Sequence, residues 1–275
     1  KTNGHGKMIV TDAIKQSCDV FFYEISKKLG IDKIAEVAKD FGLGQSYNIS
    51  MPNQKKGIVP NKKWKKEKIG ESWYAGETLI SAIGQGFVLT NPFQLVVMTS
   101  IIASDGKMIE PTIIKGSRVS FKTNEKYSKE IKIIKKAMFK VVNENKGTAF
   151  KSRLEDVKFA GKTGTSQVRR ISLSERESDD FREKEQEWKN RDHALFVGYA
   201  PYVKPKYAIS VVVEHGGGGS RVAAPIARDI MLRAIYGRVP KLEAYPMDQR
   251  EEAKDRLESL NLNPVLESEK NEGSA

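Results

Sequence analysis

A single cysteine, Cys18, stands among 275 residues. An intrachain disulfide framework and a multi-cysteine zinc site are therefore excluded. Long hydrophobic runs are missing too: no apolar stretch approaches the roughly 18 to 20 residues that span a bilayer. The three histidines, His5, His193 and His215, show no metal-ligand spacing, so neither a metal nor another cofactor is expected. Aromatic residues make up 8% of the chain and no nucleic-acid module is recognisable, which argues against a nucleic-acid partner. The opening KTNGHGKM has neither an initiator methionine nor an apolar leader, and the chain is expected to begin within a longer protein.

What is present is basic and globular. Hydrophobic residues make up 39% and the formal net charge is +12. Residues 241–275 carry 5 basic and 9 acidic side chains, leaving 42 basic against 26 acidic in residues 1–240. A basic body suits an anionic partner, although solubility alone accounts for many basic proteins. The polar, acidic stretch from Lys241 onward is expected to lie outside the domain. The run at 55–68, with seven lysines and Trp64, reads either as a solvated face or as a contact for anionic lipid or a membrane-bound substrate. Residues 169–192 hold 15 charged side chains in 24 and read as an insertion between strands.

Periodicity divides the chain. Phe21, Phe22, Ile25 and Leu29 make one helical stripe, a second helix runs from about Asp32 to Phe41, and Ile131 to Val142 mark another. In NPFQLVVMTSIIASDG, Asn91 can cap, Pro92 suits the first helical position and Gly106 supplies the stop. After residue 156 the pattern turns to short strands, VKFAGKTGTSQV, HALFVGYAP and YAISVVVEH, read as antiparallel neighbours. A glycine run at 216–219 leads into a closing amphipathic helix. That run resembles a phosphate-cradling loop superficially, but reads as a mobile turn. The sum is an α/β chain of the α+β type, a sheet with helices on its faces.

Two local signals carry chemistry. Lys162-Thr163-Gly164, continued by Thr165, places an ammonium, two hydroxyls and a residue without a side chain on a strand edge, as a carboxylate-binding edge requires. Lys162 and Gly164 should face one way, and Thr163 and Thr165 the other. Ser17-Cys18-Asp19 precedes the first helical stripe. By itself Ser17 reads as a helix cap; only a pairing with Lys162 makes a proton-relaying hydroxyl a competing reading.

Together with GHG at 4–6, SCDVFFYEISKKLGI, WYAGETLISAIGQGFVLTNPFQL, GTA at 147–149, RDHALFVGYAPY and HGGGGSRVAAPIARDIM, these motifs resemble the C-terminal part of the transpeptidase domain of class B penicillin-binding proteins of the elongation type. The resemblance covers about residues 4–237 and implies the penicillin-binding transpeptidase and serine β-lactamase-like fold, an antiparallel sheet of about five strands between helical layers. It further implies a D,D-transpeptidase that cross-links D-Ala-D-Ala stem peptides through a serine acyl-enzyme and is inhibited by β-lactams. Ser17 would be the proton-shuttling hydroxyl and Lys162 its positively charged partner. Asp19, Thr163, Gly164 and Thr165 would line the bound peptide. The nucleophilic serine of an S-x-x-K motif is expected upstream of Lys1, because only sixteen residues precede Ser17, so the chain alone is expected to be inactive. An N-terminal anchor outside this chain, a place on the outer face of the cytoplasmic membrane, and a rod-shape glycosyltransferase with other elongation proteins as partners are also implied. The alternatives are a catalytically idle binding or sensor module and a serine β-lactamase relative.

Overall fold

The computed structural model describes residues 4–49, 51–116, 121–123, 125–168 and 187–259. Helices fill the first half: α1 (Val10–Lys15), α2 (Asp19–Leu29), α3 (Ile31–Asp40), α4 (Lys62–Ile69), α5 (Ala75–Ala82) and α6 (Pro92–Ala103). A small ladder of β1 (Lys107–Ile109) and β2 (Phe121–Thr123) follows, then α7 (Ser128–Asn143). The second half is β3 (Ala160–Ser166), β4 (His193–Ala200), β5 (Tyr207–Val213), α8 (Ala223–Tyr236) and α9 (Arg250–Ser259).

Strands β3, β4 and β5 form an antiparallel sheet in that order, with Lys162 opposite Val197, Gly164 opposite Leu195, and Leu195 opposite Val212. Because side chains alternate, the sheet has two apolar faces. Ala194, Phe196 and Val211 meet Ala223, Ala227, Met231 and Leu232 of α8. On the opposite face Tyr199 and Ala208 meet Ile102 and Ala103 of α6 and Met138 of α7. Phe196 and Tyr199 are fully buried; completely removing a large side chain from water supplies about 2–3 kcal/mol each, which fixes the strand register. Among the described residues three strands of the expected antiparallel sheet are present, and β1 and β2 form a separate ladder. The chain's alternating apolar runs after residue 156 supply three core strands among the described residues, and both outer strands, β3 and β5, keep one open edge.

Local chemistry explains the key helices. The Asn91 side chain accepts a hydrogen bond from the Gln94 backbone N–H at 2.9 Å, with Pro92 in the first turn, as the cap signal predicts. Gln94 is wholly buried and its amide donates to the carbonyls of Gln45 and Lys56 at 2.7 and 2.8 Å, so α6 stitches two loops to the body. The lysine run is not uniformly solvated. Lys65 is 1% exposed, donates to Glu77 at 2.5 Å, and lies 4.3 Å from the centre of the Tyr74 ring, while Lys62, Lys63, Lys66 and Lys68 face water. Two carboxylates hold the Lys65 ammonium inside, Glu77 at 2.5 Å and Glu71 at 3.5 Å.

The expectation that the chain beyond Lys241 lies outside the domain is corrected for residues 241–259. Ala244, Tyr245 and Ala253 belong to the main core, and Leu257 is buried. Polar ties reinforce this: Asp229 of α8 accepts from Tyr245 Oη at 3.1 Å, Arg228 Nε at 2.9 Å and Arg256 Nε at 2.8 Å. An acidic composition obscured four apolar residues that suffice to dock the segment. Of the charged insertion, Trp188–Asn190 form a single 3-10 turn, and residues 169–186 lie outside the described residues.

Candidate functional site

Between α1 and α2 the backbone turns through Ser17 with φ +50°, in the left-handed region that costs a residue with a side chain about 1–2 kcal/mol. Cys18 closes the turn, its N–H donating to the Ala13 carbonyl at 2.9 Å while its side chain is buried. Cys18, not Ser17, occupies the cap position of α2, and no side chain makes a capping hydrogen bond there. The cap reading of Ser17 is thereby overturned. Its hydroxyl instead accepts a hydrogen bond from Lys162 Nζ at 2.5 Å across 145 positions of sequence.

Lys162 also donates to the Thr163 carbonyl at 2.7 Å. Desolvation of its amine lowers the pKa from 10.5 to about 8, with the Asp19 carboxylate pulling the other way. A cavity of about 590 Å³ opens beside this pair and is lined by Ser17, Asp19, Lys162, Thr163, Gly164 and Thr165 together. All six residues singled out in the sequence thus meet at one place. Thr163 and Thr165 contribute along with Lys162 and Gly164, although the strand alternates, because the cavity wraps around the open edge of β3.

Other members of the site escaped the sequence reading. Thr148, in the turn after α7, shares a hydrogen bond of 2.8 Å between its Oγ1 and that of Thr163, and its N–H donates to the Lys15 carbonyl at 3.2 Å. Gln85 reaches from the loop after α5 and donates its Nε2 to the Thr165 carbonyl at 3.0 Å. Both stand in stretches quoted for the resemblance, but an isolated polar residue in a loop carries no periodic signal. Ser220 and Asp192 complete the far wall. The glycine run is no loose turn: Gly219 is buried, and a Cβ there would fall 2.2 Å from the Gly164 carbonyl oxygen and 2.3 Å from that of Leu195. Close approach to the sheet is what requires glycine. His193 and His215 pack edge to face at 4.7 Å, with His193 Nδ1 accepting from the His215 N–H at 2.9 Å, which braces the start of β4 against the end of β5.

Among serines, Ser26 Oγ donates to the Tyr23 carbonyl and Ser81 is buried in α5; neither lines the cavity. One Ser-x-x-Lys spacing exists in the chain, Ser104 with Lys107, but Ser104 ends α6 with its hydroxyl on the Ser100 carbonyl, away from the cavity.

A hydroxyl held by a desolvated lysine on a K-T-G strand, beneath an S-x-D turn, matches the geometry implied by the motifs, and the family model of the penicillin-binding protein transpeptidase domain matches residues 1–232. This chain belongs to that family. The peptidoglycan D,D-transpeptidase MrdA of Haemophilus influenzae is 32% identical over 277 residues, covering 95% of this chain and 42% of that protein. The structure of penicillin-binding protein PBP2 in complex with MreC from Helicobacter pylori is similar at a TM-score of 0.73 and 33% identity, covering 85% of this chain and 41% of that one. Pseudomonas aeruginosa PBP2 in complex with WCK 5153 gives a TM-score of 0.69 at 32% identity, covering 89% and 52%. The chain therefore spans about two-fifths of the length of MrdA and of the Helicobacter protein. The family fold accounts for the helical layers on both faces of the sheet. Among the described residues no helix is long and apolar enough to cross a membrane.

Proposed function

We propose that the chain forms the Ser17 and Lys162 side of the active site in a peptidoglycan D,D-transpeptidase of cell-wall elongation. The observation that carries this reading is the 2.5 Å contact from Lys162 Nζ to Ser17 Oγ at the mouth of the cavity beside the open β3 edge. In the reaction, a serine hydroxyl attacks the carbonyl carbon of a D-Ala-D-Ala bond, the C–N bond breaks, and the departing amine takes up a proton. An amine of a neighbouring stem peptide then attacks the ester and releases the serine. Ser17 is placed to pass the proton to the leaving amine, since its oxygen accepts from Lys162 while its own O–H stays available. Lys162 supplies positive potential for the peptide's terminal carboxylate, and Thr163 and Thr165 lie along the peptide. The nucleophile itself, on this reading, comes from chain outside these 275 residues, because the one Ser-x-x-Lys pair within them is remote from the cavity.

On this reading the work is done on the outer side of the cytoplasmic membrane, where the stem peptides are cross-linked. By analogy with the relative seen with MreC, the partners are elongation-complex proteins, and the family resemblance adds a rod-shape glycosyltransferase to them.

The test is to incubate the full-length protein that contains this chain with a fluorescent penicillin and follow a denaturation-resistant band. A band that persists for many minutes supports a transpeptidase; rapid loss of label would indicate a β-lactamase, and no band would sink the reading. Ser17→Ala is expected to slow labelling by about 10²-fold with little change in thermal midpoint, because Ser17 does not cap α2. Unchanged labelling in that variant would remove Ser17 from the proton path.

A further inference from the structure

The open edge of β3 should present donors and acceptors alternately, yet both of its carbonyls at the cleft are already engaged. In an antiparallel strand each residue turns its N–H and C=O to the same edge, and residues two apart share that edge. Thr163 and Thr165 are such a pair. The Thr163 carbonyl accepts from Lys162 Nζ at 2.7 Å, and the Thr165 carbonyl accepts from Gln85 Nε2 at 3.0 Å. Each of those carbonyls thus has one lone pair engaged, and the N–H groups of Thr163 and Thr165 lie on the same edge.

Gln85 is built to do this. Gly84 and Gly86 on either side have φ +77° and +70°, so the loop turns in left-handed conformations that residues with side chains adopt only with strain. The Gln85 N–H donates to the Ile80 carbonyl at 3.1 Å, and its carbonyl accepts from Val88 N–H at 3.4 Å, which seats the residue on the end of α5. A Cβ on Gly86 would stand 3.1 Å from Ile80 Cγ2, so the loop is also packed against its own helix. From there the side chain crosses to the sheet. It forms the wall shared by the polar cavity and a neighbouring cavity of about 550 Å³ lined by Val88, Leu95 and Leu195.

We propose that Gln85 is a positioning residue for acyl transfer: by holding the Thr165 carbonyl it fixes the open end of β3, so that the strand edge presents N–H donors to the carboxylate and carbonyl oxygens of the bound peptide. The proposal rests on the transpeptidase reading. Gln85 need not touch the reacting atoms; its effect passes through the placement of Thr165, and small displacements of a donor aimed at developing negative charge are costly.

The experiment uses the full-length protein and resolves penicillin acylation into the dissociation constant of the non-covalent complex and the rate constant of bond formation. Gln85→Met keeps the length of the side chain and removes the donor. It is expected to slow bond formation ten- to hundredfold while the dissociation constant moves less than about threefold. Gln85→Glu puts a carboxylate against a carbonyl and is expected to be slower still at pH 8. Its deficit relative to wild type should narrow toward pH 5, where a protonated carboxyl regains a donor. A merely structural loop would not produce that pH dependence. If Gln85→Met leaves the bond-forming rate unchanged, or if the Gln85→Glu deficit is the same at pH 5 and pH 8, the proposal is overturned. Wild-type protein that takes no penicillin would sink the transpeptidase reading itself, a result distinct from either of these.

Discussion

Lys162→Ala in the full-length protein is expected to slow penicillin acylation by about 10²- to 10³-fold, the range seen when one preorganised electrostatic group is removed from an acyl-transfer site. The reason is specific to this amine, which holds both the Ser17 hydroxyl and the Thr163 carbonyl and carries the charge beside the cavity. Lys162→Arg should recover part of the rate only, because a planar guanidinium cannot reproduce a point contact of 2.5 Å in the same space. The pH behaviour gives a second reading of the same residue. With its pKa lowered from 10.5 to about 8, the ammonium is lost as pH rises through 8, and wild-type acylation should fall there while the arginine variant stays flat. Stability moves the other way. Between about pH 8 and 10.5 the unfolded chain binds more protons at this lysine than the folded one, so its contribution to stability rises with pH across that window. Acylation rates from pH 6.5 to 9.5, with thermal midpoints recorded alongside, check both signs. Equal rates for wild type and Lys162→Ala would take the lysine out of the site.

Gly219→Ala is expected to damage fold and site together. The added methyl would meet the carbonyl oxygens of Gly164 and Leu195 at 2.2 and 2.3 Å, both of them backbone atoms with no rotamer to yield. Either the glycine run lifts off the sheet or β3 shifts, at a cost of about 1–3 kcal/mol. The midpoint should fall by several degrees, and acylation should fall further than stability alone dictates, because the displaced atoms belong to the strand that carries Lys162 and Thr165. Gly218→Ala is the control: a Cβ there meets nothing within 4 Å, and the variant should behave as wild type. Similar losses in the two variants would show that flexibility of the run, rather than its close approach to the sheet, is what matters.

Legibility of the sequence followed the range of each interaction. Helices α2, α3, α6 and α7 and strands β3 to β5 were readable because their signals are local: apolar spacing, the Asn91–Pro92 start, turn residues between strands. Helix α4 was hidden inside a lysine run, where six of the seven lysines face solvent and the buried Lys65 looks no different in sequence. Ser17 and Lys162 were paired through motif resemblance, since nothing local in either segment announces a contact over 145 positions. Gln85 and Thr148 lie in stretches that the resemblance covers, yet neither was singled out: each acts through one hydrogen bond to β3 that tertiary packing alone creates. The acidic stretch misled because composition averages over residues, whereas docking depends on a few, Tyr245 and Leu257 among them.

The docking of residues 241–259 on α8 bears on where the gene can be cut. The family match ends at residue 232, which invites trimming the protein there or at Pro240. Yet Tyr245 roofs the same core that α8 shares with the sheet, and Asp229 would be stripped of the Tyr245 and Arg256 donors that now surround it. A shortened protein would thus present Met231 and Leu232 under a torn seam, and a weakened α8 sits directly behind β4 and β5. The strap that looks dispensable is a rear buttress for β4, the strand against which β3 and its Lys162 are paired.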